Sequence, residues 1–175
     1  MSMTFIYKDV LYADHFQVLD YEDCYPTITD KKIYVSKSKK TVIAIMGKVP
    51  EDPQAFMEQL ETNLFIYDKD PKKTDEAHQE ASKLLRKSIN VHGVVFLGNY
   101  KGRNLTFNIL SNKDVYFLRD NPEIKPYYGC EPSIYPMLDS GMTPAEIFKG
   151  YALTKGIISE KYTAFDLQTR KFIQN

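Results

Sequence analysis

Cysteine is scarce in this chain: Cys24 and Cys130 are the only two in 175 residues. They form no CxxC pair and have no histidine at zinc-ligand spacing, which argues against a disulfide framework and a structural zinc site. Two isolated thiols suit a reducing compartment. Net charge is missing as well, since Lys+Arg and Asp+Glu both number 23. A nucleic-acid binder shows a basic excess or stripe, and here lysines gather only in short clusters such as Lys37, Lys39 and Lys40. Long hydrophobic runs are absent too. Residues 41–46 and 94–97 are among the most apolar and fall far short of a membrane span. Residues 1–5 lack the basic and apolar regions of a secretory signal. There is no internal repeat and no low-complexity tract. The expectation is a cytoplasmic globular protein with no metal or cofactor and with neither nucleic acid nor membrane as a partner.

What is present is ordinary globular composition, 43% hydrophobic and 26% charged. The length suits a single domain over residues 1–175. Residues 3–7 and 10–13 read as a β-hairpin around Lys8-Asp9. A polar stretch with Tyr21, Asp23 and Pro26 then reads as loop. Residues 32–35 and 41–46 read as a second hairpin, the latter strand apolar enough to be covered on both faces. Glu51-Asp52-Pro53 opens a helix carrying Phe56, Leu60 and Leu64. A charged linker over 68–73 leads to a second helix marked by Ala77, Ala81, Leu84, Leu85 and Ile89. Strands follow at 93–97, 105–110 and 115–118. A helix opens near Gly129-Cys130 and runs to about Leu138. Thr143-Pro144-Ala145-Glu146 caps another, reaching about Lys155. A last strand covers 163–167. Runs of strands and helices segregated this way imply antiparallel sheets with a helix pair on each outer face, an α+β fold.

Several segments resemble proteasome β-subunits and HslV-like N-terminal-nucleophile hydrolases. Val10-Leu11-Tyr12-Ala13-Asp14 resembles that family's strand ending in a small residue and an acid. Lys31-Lys32-Ile33, followed by Thr41-Val42-Ile43-Ala44, resembles its lysine-bearing strand and the apolar strand after it. Phe107-Asn108-Ile109-Leu110-Ser111-Asn112-Lys113-Asp114 resembles its strand–turn–strand. Gly129-Cys130 resembles the Gly-Ser before its third helix, and Met142-Thr143-Pro144-Ala145-Glu146 the opening of its fourth. The resemblance spans nearly the whole chain and implies a four-layer αββα sandwich, two antiparallel sheets flanked by helix pairs.

It also implies a chemistry. The family's nucleophile is the first residue of the mature chain, and its free α-amine, with an unperturbed pKa of about 7.7–8.0, serves as base. Loss of Met1 would free Ser2. A two-residue turn at Lys8-Asp9 pairs Tyr7 with Val10 and, counting back, Met3 with Asp14. Ser2 then stands one step beyond the acid. By resemblance Ser2 is the nucleophile, Lys32 the lysine and Asp14 the acid that holds it. Ile45 matches the family's oxyanion glycine, with Gly47 the nearest glycine, and Cys130 replaces a serine near the nucleophile. The family's late Asp–Ser pair has no clean counterpart here, where the region reads Ile158-Ser159-Glu160-Lys161. The implied activity is a serine- or threonine-type endopeptidase acting on peptides or unfolded proteins, in a homo-oligomeric ring with an ATPase partner.

Plainer readings stand beside these. Ser2 can be a frayed terminus, Asp14 a turn residue, and Lys32 a solvated lysine no different from Lys31. Thr4 would be the nucleophile only if three residues were clipped. The departures at Ile45 and Cys130 suit a catalytically inactive relative serving as scaffold, inhibitor or binding subunit; an amidase of the same fold is a third option. Cys130 with His15 suggests a cysteine–histidine pair, against the commoner role of a buried small residue. His78 and His92 have no partner at ligand spacing. Tyr100, Tyr127, Tyr128 and Tyr135 suit either a peptide groove or sheet packing.

Overall fold

Lys8 and Asp9 both adopt positive φ, 48° and 60°, the backbone of a type I′ turn whose twist matches that of paired strands. The turn joins β1 (Thr4–Tyr7) to β2 (Val10–Asp14), with Tyr7 opposite Val10 and Thr4 opposite Ala13. The expected hairpin and its register are therefore present. The coordinates are a computed structural model describing residues 3–18, 26–28, 31–45, 51–69, 83, 93–100, 103–109, 115–118, 127–128, 134–155 and 159–174. They divide into two compact units, Met1–Ile33 with Lys125–Asn175, and Tyr34–Ile124.

In the first unit, β1 and β2 are joined by β10 (Tyr127–Tyr128), β11 (Tyr162–Asp166) and β12 (Lys171–Ile173) in an antiparallel sheet of order β10-β1-β2-β11-β12. Met3 and Phe5 point to one face, where they pack with Ile134, Leu138, Ile147 and Phe148. The last four come from two short helices, α2 (Ile134–Asp139) and α3 (Pro144–Lys155). Gly141 makes the corner between them at φ 99°. Its N–H and that of Met142 donate to the Leu138 and Met137 carbonyls at 3.1 Å each, the paired bonds of a Schellman cap, which favours glycine at this position. The next helix starts at once in a capping box: Thr143 N donates to Glu146 Oε2 at 2.7 Å, and Glu146 N to Thr143 Oγ1 at 3.3 Å. The expected cap at Thr143-Pro144-Ala145-Glu146 is in place.

The second sheet has the order β5-β6-β7-β8-β9: β5 (Ile33–Val35), β6 (Thr41–Ala44), β7 (Gly93–Tyr100), β8 (Arg103–Ile109) and β9 (Val115–Leu118). Every residue of β6 is buried, as its apolar run requires. Helix α1 (Pro53–Lys69) starts at an Asp52 cap, whose carboxylate accepts from Ala55 N at 2.9 Å.

Several boundaries differ from the sequence reading. The segment after Asp14, read as loop, contains a two-stranded ribbon, β3 (Phe16–Val18) with β4 (Pro26–Ile28). Each strand has three residues, too few for a visible alternation. Helix α1 continues through Asp68 and Lys69, where the charged sequence suggests a linker. Strands β7 and β8 extend to Tyr100 and from Arg103, so residues read as turn are paired; a register shift between Leu97 and Tyr100 absorbs Gly98 and Asn99. Strand β11 is not the last. Asp166 Oδ1 accepts from Gln168 N and Thr169 N at 2.8 Å each, turning the chain back into β12. The expected second helix lies outside the described residues apart from Lys83, which is helical. The helix expected from Gly129-Cys130 to about Leu138 is described from Ile134 onward as α2, ending at Asp139, while its opening at Gly129-Cys130 lies outside the described residues. No helix among the described residues is long and apolar enough to cross a membrane.

Candidate functional site

The hairpin register carries past the last strand residue. Asp14 N donates to Met3 O at 3.0 Å, so Met3 faces Asp14 as the turn requires. Met3 N returns a bond to Asp14 Oδ1 at 3.0 Å. The same oxygen accepts from Lys32 Nζ at 2.6 Å, and both side chains are 0% exposed. Strand β11 closes the other side, with Tyr162 opposite Asp14. Just before that strand, Ser159 N donates to Asp14 Oδ2 at 3.3 Å. Ser159 Oγ in turn accepts from Lys161 N at 3.0 Å, fixing the local bend.

The carboxylate is therefore fixed by a cation and by backbone amides from two directions, a satisfied arrangement for a buried charge. Lys31 is exposed and Lys32 fully buried, so the two lysines are not equivalent. Burial holds the Lys32 ammonium below its usual pKa, while the charge and hydrogen bond of Asp14 pull it back up. Such a lysine is closer to releasing its proton than a solvated one. A buried pair of this kind is a weak device for stability and a frequent one at functional sites.

The other candidates separate from this centre. Thr4 is fully buried, and its hydroxyl donates to the Tyr12 carbonyl at 2.7 Å. By strand alternation it projects on the face opposite Met3 and Asp14. His15 N donates to the Lys161 carbonyl at 3.0 Å, and its Nε2 lies 2.7 Å from Thr163 Oγ1. Its side-chain partner here is a threonine. Ile45 is fully buried after β6, in the second unit. Ser2, Gly47 and Cys130 lie outside the described residues. Among the described residues no group of three or more His, Cys, Asp or Glu converges as a metal site.

Sequence reasoning assigned no role to Ser159 or Thr163. Ser159 contributes a backbone N–H, which any residue there would supply. Thr163 meets His15 from 148 positions away, and only the pairing of β11 with β2 brings them together.

No family model matches the sequence, and no curated protein matches it significantly. Solved structures do share its fold. Eukaryotic HslV from Trypanosoma brucei superposes with a TM-score of 0.56 at 11% identity, over 93% of this chain and 96% of that one. Anbu (ancestral beta-subunit) from Yersinia bercovieri gives 0.56 at 14%, over 98% and 85%. The Gly-1 mutant of Anbu from Hyphomicrobium sp. strain MC1 gives 0.55 at 11%, over 99% and 84%. At such identities the likeness is one of fold: a mixed α/β architecture with two antiparallel sheets, similar to HslV and Anbu.

Proposed function

We propose that this chain is a proteasome- and HslV-like N-terminal-nucleophile peptidase subunit, with Ser2 as nucleophile once Met1 is removed. The observation that carries the reading is the buried Asp14–Lys32 pair bonded to Met3 N, since that nitrogen belongs to the peptide bond joining Met3 to Ser2. In this mechanism the Ser2 α-amine takes the hydroxyl proton as the oxygen attacks a peptide carbonyl. Lys32 places positive charge beside the reacting oxygen, and Asp14 fixes the lysine. The proton passes to the leaving amine, and water then hydrolyses the Ser2 ester. Ile45, Gly47 and Cys130 are the supporting positions, with backbone N–H groups near the first two as oxyanion donors.

The reading extends to one αββα domain over residues 1–175, supported by fold similarity over nearly the whole chain. It also includes a cytoplasmic homo-oligomeric ring acting on peptides or unfolded proteins beside an ATPase. A second reading, a catalytically inactive scaffold, inhibitor or binding subunit, draws support from Ile45, whose side chain is buried where the family has glycine.

Intact-mass spectrometry with a peptide epoxyketone tests the choice. The peptidase reading expects loss of Met1 and a covalent adduct on Ser2. Retained Met1 excludes this mechanism, and a free Ser2 without adduct favours the inactive relative. A monomer in gel filtration would count against the ring.

A further inference from the structure

A cavity of about 290 Å³ opens in the first unit between the β1–β2 turn and the corner joining α2 to α3. Its lining includes Tyr7, Lys8, Tyr12, Leu138, Met142 and Pro144, and neither Asp14 nor Lys32 takes part. We propose that it binds a small aromatic monocarboxylate.

The walls specify an apolar, flat ligand. Tyr7 and Tyr12 contribute aromatic side chains, Leu138 is buried, and Met142, 37% exposed, contributes an apolar lip. The volume lies at the lower end of ligand pockets, which run from about 300 to 1,000 Å³. That suits one ring with a short chain.

The polar groups specify a single negative charge. Lys8 is the one charged residue in the lining among the described residues. The rigid turn holds it with its ammonium 5.1 Å from the Tyr7 ring centroid, and among the described residues no carboxylate pairs with it. The neighbouring Asp9 carboxylate accepts from Gln168 Nε2 at 2.7 Å, on the side of the β11–β12 turn. Glu146 touches the lining residue Thr143, but its carboxylate is engaged by the Thr143 N–H and hydroxyl at 2.7 and 2.8 Å.

A second donor is ready. The Tyr7 hydroxyl donates to the Leu138 carbonyl at 3.3 Å, whereas the Tyr12 hydroxyl has no hydrogen-bond partner among the described residues. Burial, then Tyr162 and Tyr7, raise the Tyr12 pKa, so the phenol stays protonated and able to donate. An ammonium and a free phenol beside aromatic walls match a carboxylate carried on a ring.

The test is titration of 3-phenylpropionate into protein labelled with ¹³C at the methionine methyls, following Met142. A ligand of this size should bind with a Kd on the order of 1 mM and shift that methyl. The uncharged 3-phenylpropionamide should bind at least about tenfold more weakly, given the strength of charge-assisted bonds. Lys8→Glu should weaken the acid by a similar factor. Lys8 is exposed, so this change leaves folding intact. Tyr12→Phe should weaken it by about threefold, the loss of one modest hydrogen bond. N-acetyl-Gly-Phe distinguishes the source: if both bind, a free acid suffices as proposed, and if the peptide alone binds, the small-acid proposal is overturned in favour of a peptide C-terminus. Equal binding of acid and amide, unchanged binding in Lys8→Glu, or no shift at Met142 would overturn the proposal.

Discussion

Asp14 and Glu61 are both buried carboxylates, one in each unit, and their surroundings differ. Asp14 accepts from a buried lysine at 2.6 Å and from the amides of Met3 and Ser159 at 3.0 and 3.3 Å. Glu61 lies on α1, 6% exposed, and accepts from the Ser38 hydroxyl at 2.7 Å. Its other oxygen is buried with no hydrogen-bond partner among the described residues. Ser38 also accepts from Lys40 N at 3.1 Å and lies 3.2 Å from the Ser36 hydroxyl, while Ser36 Oγ accepts from Thr41 N at 3.1 Å. Glu61 thus ties the β5–β6 hairpin to α1 through neutral hydroxyls. Asp14 has a lysine buried with it, although a well-packed apolar pair would hold a strand end at least as well. The contrast separates an anchor made through neutral hydroxyls from a buried ion pair, the arrangement that the proposed peptidase would use.

The sharpest way to break that contrast is Lys32→Met. It leaves the Asp14 charge buried without its cation and should cost about 3–5 kcal/mol in urea denaturation. Replacing both partners, Asp14→Leu with Lys32→Met, should recover most of that loss while abolishing any Ser2 adduct. A double variant as unstable as the single one would make the pair structural after all. Glu61→Ala should cost less, about 1–3 kcal/mol, by stranding the Ser38 hydroxyl. Glu61→Gln keeps an acceptor for that hydroxyl and should stay within about 1 kcal/mol of the native protein, a single modest hydrogen bond's worth. If it costs as much as Lys32→Met, the two carboxylates are alike.

Two pH effects are smaller. Burial puts the folded Lys32 pKa below its unfolded value of 10.5, so the unfolded chain holds that proton more tightly. Stability should therefore rise with pH between the folded pKa and 10.5, and urea midpoints of Lys32→Met should lack this rise. Glu146 behaves oppositely. The Thr143 N–H, then its hydroxyl, hold the Glu146 carboxylate below 4.5. The advantage of native protein over Thr143→Ala should persist above that value and fade as pH falls through the folded pKa.

The site's register was legible because a two-residue turn fixes every pair behind it. Lys8-Asp9 dictated Met3 opposite Asp14, and the bonds between them agree. The choice between Lys31 and Lys32 was not legible from residue type: adjacent lysines look equal until burial separates them. Strand β12 escaped notice because Lys171, Phe172 and Ile173 are all exposed, which leaves no alternation to read. The capping box at Thr143 was legible because every partner lies within three residues of it.

The most direct test of the central claim compares epoxyketone labelling of the native protein with that of the Asp14→Leu/Lys32→Met variant, by intact mass at matched folded fraction. The account predicts a Ser2 adduct on the native chain alone. Equal labelling of both chains would contradict the role given to the pair, and an unlabelled native chain would contradict the peptidase itself.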